Sequence, residues 1–155
     1  MNVDLRIALK PIPGLGGYAQ GDLISGVENL VGSDFADVLI GNEGGNRLAG
    51  GRGNDLLNGG GGADRFAFAP GFGNDRIEDF DAEPAGGQDF LDISAFGVTA
   101  DDFRGLVTIT DVGTDALVTI NGDPNQTILL AGIGNVATIT QQDFVLSVLD
   151  CLIPG

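Results

Sequence analysis

Asp37, Asn46, Asp55 and Asp64 recur at every ninth residue, each two places before a large apolar side chain, Leu39, Leu48, Leu57 and Phe66. A side-chain oxygen delivered at a short fixed period among glycines suits a hard cation, which takes six to eight oxygens and accepts backbone carbonyls among them. The register is gapless from residue 32: GSDFADVLI, GNEGGNRLA, GGRGNDLLN, GGGGADRFA. A degenerate copy, LISGVENLV at residues 23–31, puts Glu28 and Leu30 in the same two columns. Gly32, Gly41, Gly50 and Gly59 open the four regular copies. Glycine tolerates positive φ and lets carbonyls crowd inward, as a cation held by short backbone segments requires.

Composition agrees with a cation and argues against other partners. Twenty-two acidic against 7 basic residues leave a net charge of -15, a self-repulsion that opposes compaction until something cationic binds. Calcium is the expected partner. Nucleic acid and anionic membrane surfaces are not expected, because both need clustered Lys and Arg and the basic residues here are scattered. The chain has no His, which removes the commonest general base, the Ser-His and Cys-His dyads and the His-bearing zinc sites. Without Trp there is no strong aromatic platform for a glycan, and the loop carboxylates are committed to metal, so the chain is not expected to be an enzyme. Cys151 has no internal disulfide partner and reads as a small apolar residue. The opening MNVDLRIALKPIPG lacks the pattern of a secretory signal, and no apolar run reaches the 18 residues of a membrane span.

The elements that must position these oxygens follow from the period. The last three residues of each nonapeptide extend as a short strand, with the eighth side chain inward and its neighbours outward. Two nonapeptides make one coil, so loops 18 residues apart stack. Asp37 is then beside Asp55, Asn46 beside Asp64, and Arg47 above Arg65 on an outer face. A flexible linker would explain ten Gly between Gly41 and Gly62, but not an apolar residue at every ninth place. Residues 70–96 are acidic and keep the repeat weakly. Gly73-Asn74-Asp75 copies Gly53-Asn54-Asp55 at a spacing of twenty, which predicts an inserted loop at 69–72 and Asp75 as a last-turn ligand. From Leu106 the runs LVTITDV, ALVTI and QTILLAGI are β-branched and separated by turn residues, predicting an antiparallel set that closes the open end of the coil. Residues 136–150 fit either a short helix entered at Thr140 or a last strand.

The block resembles the RTX (repeat-in-toxin) calcium-binding repeats, whose pattern G-G-x-G-x-D-x-U-x is matched in full by GGRGNDLLN. GDLISGVENLVGSDFADVLIGN is similar to the lead-in before such arrays. GNDRIEDFD, DFLDIS, ILLAG and DFVLS are similar to the C-terminal block of RTX proteases, hemolysins and the repeat modules of mannuronan epimerases. The resemblance implies an all-β fold, a right-handed parallel β-roll (RTX solenoid) closed by a C-terminal antiparallel β cap. It divides the chain into lead-in strands at 1–31, the calcium-binding roll at 32–78 and a cap with a type I secretion signal at 79–155. Several calcium ions, export by the type I secretion machinery, and folding only in the extracellular space come with it. Carried over by position, one site joins Gly32, Asp34 and Asp37 to Gly51, Gly53 and Asp55. A second joins Gly41, Glu43 and Asn46 to Gly60, Gly62 and Asp64, and is expected to be weaker because Asn46 carries no charge. Asp75 adds a ligand, and Asp79, Asp81, Asp89 and Asp92 are candidates for a further site. Two other functions stay open. The acidic solenoid could bind extracellular polysaccharide or a cell surface through Arg47 and Arg65. It could also be the non-catalytic end of a larger secreted protease or epimerase.

Overall fold

The computed structural model describes residues 2–4 and 28–148. Residues 5–27 of the expected lead-in lie outside them, as do residues 149–155 of the expected secretion signal, Cys151 among them. The short strands are β1 (Asn2–Asp4), β2 (Asn29–Val31), β3 (Val38–Ile40), β4 (Arg47–Ala49), β5 (Leu56–Asn58), β6 (Arg65–Ala67), β7 (Asn74–Ile77) and β8 (Phe90–Asp92). They are followed by β9 (Val107–Asp111), β10 (Ala116–Ile120), β11 (Thr127–Leu130) and β12 (Phe144–Val145), with one helical turn, α1 (Phe103–Leu106), before β9.

Alternate strands go to alternate sheets, as a period of nine demands when two nonapeptides close one coil. Sheet A has the order β1-β3-β5-β7-β11-β10-β9 and sheet B the order β12-β8-β6-β4-β2. The fold is therefore a parallel β-roll. Its registers are those of the repeat: Leu39 lies beside Leu57 in sheet A, and Leu30, Leu48 and Phe66 succeed one another in sheet B. The eighth-position column fills the space between the sheets, with Leu39, Leu48, Leu57 and Phe66 all 0% exposed. Ile77 and Leu91 continue it. Leu56, adjacent to Leu57, is half-buried rather than fully outward, since Val38 and Arg76 flank it on the outer face of sheet A.

Two detours break the 18-residue spacing. The loop at 69–72 shifts the partner of Leu57 to Ile77, and the segment between β7 and β8 shifts the partner of Phe66 to Leu91. The first detour is more than a surface insertion, because Phe72 turns inward and packs on Phe68 at a ring separation of 4.9 Å. Beyond it, β11 joins sheet A parallel to β7, whereas β10 runs antiparallel to both β11 and β9. Only two of the three ladders in this set are thus antiparallel. The described part of this segment, 136–148, resolves the helix-or-strand alternative by using both. Thr140 caps a single 3-10 turn (Gln141–Asp143) through a capping box, and β12 follows at once beside β8.

Candidate metal centre

Each nonapeptide folds its sixth side chain back beneath its own first residue. A Cβ on Gly50 would land on the Asp55 carboxylate, one on Gly59 on that of Asp64, and one on Gly32 would lie 2.6 Å from Asp37 Oδ2. That contact explains the first-position glycines. At the second and fourth positions the reason is conformational: Gly51 and Gly53 have φ of +95° and +112°, and Gly60 and Gly62 of +93° and +87°. L side chains rarely adopt such values. Ser33, Phe35 and Asn42 stand at the matching places of the first two loops. Among the described residues Asn121 is the one non-glycine with positive φ, so loops 32–37 and 41–46 follow a different path. The four loops are similar in sequence and unequal in shape.

The sixth-position groups form two ladders, one along each edge of the roll. On the first, Asp37 N–H donates to Asp55 Oδ1 at 2.8 Å and Asp55 N–H to Asp75 Oδ1 at 2.9 Å. On the second, Asn46 N–H donates to Asp64 Oδ1 at 2.7 Å and Asp64 N–H to Asp89 Oδ1 at 2.8 Å. All six residues are buried. One carboxylate oxygen of each downstream Asp is thereby used by the backbone of the coil before it. The other oxygen is not always used, because Asp55 Oδ2, Asp75 Oδ2 and the Asn46 amide nitrogen are buried without a hydrogen-bond partner.

Burial sets the electrostatics. Loss of hydration lifts the Asp75 carboxyl to about 8, Asp89 to about 7 and Asp55 and Asp64 to about 6, against backbone hydrogen bonds that lower Asp64, Asp75 and Asp89. Carboxylates enclosed in this way, some with an unpartnered oxygen, disfavour their own ionisation unless a cation compensates them. The donor set is all oxygen, and the left-handed glycines give carbonyls short reach; both fit calcium better than a small octahedral ion. No three His, Cys, Asp or Glu side chains converge into a metal cluster among the described residues. A cation held here would draw on backbone carbonyls or water besides these side chains.

The remaining candidates separate. Asp34 and Glu43 are exposed at loop tips. Glu28 is exposed at the head of the array. Asp79 accepts from Gly59 N–H and Gly60 N–H at 2.9 and 2.7 Å, so it closes the second edge against the glycine loop. Asp81 N–H donates to Asp89 Oδ2 at 2.9 Å, which places Asp81 behind that rung. Asp92 lies elsewhere: Arg65 pairs with its carboxylate at 2.7 Å, and Ser94 donates to the other oxygen. These bonds hold Asp92 below the usual carboxylate range although burial works against them. Gly71, Gly73 and Gly87, to which the sequence reading assigns no ligand role, take φ of +90°, +97° and +114° and extend the left-handed loops by one coil on each edge. The echo of Gly53-Asn54-Asp55 in Gly73-Asn74-Asp75 is the signal for the first pair.

The family model of the RTX calcium-binding nonapeptide repeat (4 copies) matches residues 24–45, 31–66 and 40–77. The solution structure of the AlgE6R2 subunit from the Azotobacter vinelandii mannuronan C5-epimerase is 30% identical, with 79% of this chain and 89% of that chain covered at a TM-score of 0.52. The AlgE6R3 subunit of the same enzyme is 29% identical over 84% and 90% of the two chains, at a TM-score of 0.40. No curated protein matches.

Proposed function

The chain belongs to the RTX calcium-binding nonapeptide repeat family, and we propose that it is a non-catalytic module that folds on calcium outside the cell after type I export. The observation that carries this reading is the pair of ladders of buried carboxylates, with an unpartnered oxygen on Asp55 and on Asp75. They cost folding free energy in a chain of net charge -15, and a bound cation returns it.

The ligands we assign follow the loop shapes. On the first edge Asp55 and Asp75 each keep a buried unpartnered oxygen, and Gly51, Gly53, Gly71 and Gly73 are left-handed around them, so this pair is the strongest site. Asp37, with the carbonyls of Gly32 and Asp34, serves the coil before it. On the second edge Asp64 and Asp89 lie between Gly60, Gly62 and Gly87, and Asn46, with Gly41 and Glu43, forms the weaker upstream half. Calcium, when bound, supplies the positive charge that lets these carboxylates stay ionised while buried. Asp92 has no part in it.

A second reading rests on the likeness to a subunit of an epimerase: the chain is the repeat module of a larger secreted enzyme whose catalyst lies in another domain. Among the described residues no helix is long and apolar enough to cross a membrane.

Circular dichroism during calcium titration tests the main reading. The expected result is little β-structure in chelator and a gain with a midpoint of about 0.1–1 mM, which magnesium does not reproduce. Full native β-content in chelator would falsify it.

A further inference from the structure

The stacked Arg47 and Arg65 are not equivalent. Arg65 is neutralised by Asp92, whereas the side chains of Arg47 and Arg52 have no ion-pair or hydrogen-bond partner among the described residues. Both arginines line one cleft of about 340 Å³ beside the outer face of sheet B. That volume falls within the range of small-molecule sites, roughly 300–1,000 Å³. The geometry points to an anion-binding cleft in which Arg47 and Arg52 take the carboxylate or sulfate group of a small hydroxylated molecule.

The cleft exists because of two local features. Ala49 and Ala67, the small outward residues of β4 and β6, leave a low floor where longer side chains would fill the space. The detour at 69–72 raises a wall beside that floor at Pro70 and Gly71, and the wall is fixed from behind by the Phe68–Phe72 pair, with Phe96 against Phe72 at 5.9 Å. Arg47 reaches in from a strand and Arg52 from a loop tip, so the two cations come from independent backbones. Asp92 also borders the cleft, but its charge is already met by Arg65. Asp34 and Ser94 at the margin offer acceptors to hydroxyl donors. Arginine binds carboxylates and sulfates through a planar fork of N–H donors, which rewards an oxyanion over a neutral hydroxylated molecule.

Neither arginine belongs to the carboxylate ladders, but the cleft shares Asp34, Gly51 and Gly71 with the first-edge loops, so binding is measured with calcium saturating and the fold of each variant is followed beside it. Gluconate, with sorbitol as its neutral counterpart, is titrated into the full chain in excess calcium and followed by the amide NMR signals of Ala49, Ala67 and Gly71. Gluconate is expected to shift these signals and sorbitol to leave them. Arg47→Gln and Arg52→Gln should each weaken binding roughly tenfold, the equivalent of one lost charge-assisted bond. Arg76→Gln, in sheet A and already paired with Glu78, should leave it unchanged. Calcium-driven folding of all three variants, followed by circular dichroism, shows whether a loss of binding is a loss of fold, and Arg47 on its strand keeps the test open if the loop variant misfolds. Galactose 6-sulfate is the second arm. Binding of either anion, weakened in the two variants, supports the cleft and assigns the oxyanion class. Binding of neither anion, undiminished binding in Arg47→Gln, or an equal loss in Arg76→Gln overturns it.

Discussion

The backbone N–H of Asp37 donates to Oδ1 of Asp55, 18 residues further on, at 2.8 Å. The group assigned to calcium is thus also the group that ties one coil to the next. Loss of Asp55 removes a charge and strands a buried N–H together.

Asp55→Ala should therefore raise the calcium midpoint of folding by at least about tenfold, since an orphaned buried donor alone costs about 1–3 kcal/mol. Asn46→Ala should do less: it loses the bond from Asn42 N–H, but it also removes an amide nitrogen that is buried without a partner. Isothermal titration of both variants compares them. Equal losses would mean that the two edges do not differ in charge as assigned.

Acidity should act oppositely on the metal-free and calcium-bound chains. The carboxyls of Asp55, Asp64, Asp75 and Asp89 have folded values of about 6, 6, 8 and 7, above the 3.8 of an unperturbed Asp. A raised folded value means that protons bind the folded state better, so this contribution is fully present below about 3.8 and is lost as pH rises through about 6 to 8. The β-content in chelator, followed by circular dichroism, should be higher at pH 5 than at pH 8. The calcium midpoint should fall over the same interval, because protons and calcium compete for the same oxygens. A metal-free chain that grows more stable toward pH 8 would contradict the burial of these groups.

The eighth-position column gives a contrast between neighbours. Leu57→Ala should cost about 2–5 kcal/mol in calcium-saturated urea unfolding, because Leu57 is fully enclosed between the sheets. Leu56→Ser, one residue earlier and half-buried, should cost clearly less, though more than a fully exposed site, for which changes stay within about 0.5 kcal/mol. Equal losses would remove the inward and outward alternation.

Left-handed glycines with and without neighbours should also separate. A Cβ on Gly53 meets the Phe35 carbonyl carbon at 2.6 Å with φ at +112°, while Gly97 has φ of +72° and nothing within 4 Å. Gly97→Ala should lose only the conformational term, about 1–2 kcal/mol. Gly53→Ala should lose more and should shift the calcium midpoint, which Gly97→Ala should not. Thermal unfolding at two calcium concentrations measures both.

What could be read in advance was whatever the period fixes. Leu39 against Leu57 and Asp37 against Asp55 follow from counting to 18, and Asp75 follows from a copied tripeptide at twenty. Asp89 beside Asp64 comes 25 residues on, after a segment without the motif, so no local signal places it in the ladder. The capture of Arg65 by Asp92 depends on that same detour and was hidden for the same reason. The pairing of β1 with β3 joins Asn2 to Val38, across a longer stretch than one coil, and periodicity alone gives it no register. Phe72 falls in the loop that the spacing of twenty predicts, and a spacing does not say which way a side chain turns; its burial comes from contact with Phe68 and Phe96.

The alternation of strands between the two sheets imposes a parity on any change of length. Adding or deleting one nonapeptide upstream of β7 would move every later strand to the opposite sheet. With one added just before β7, Asp75 would then face the edge of Asn46 and Asp64, and β7, with β11 beside it, would stack on β6 instead of β5. An even number of nonapeptides leaves each side chain on its own edge and merely lengthens the roll. Viable relatives of this chain should differ in steps of two repeats, and a single-repeat insertion should behave as a frameshift written in structure instead of in codons.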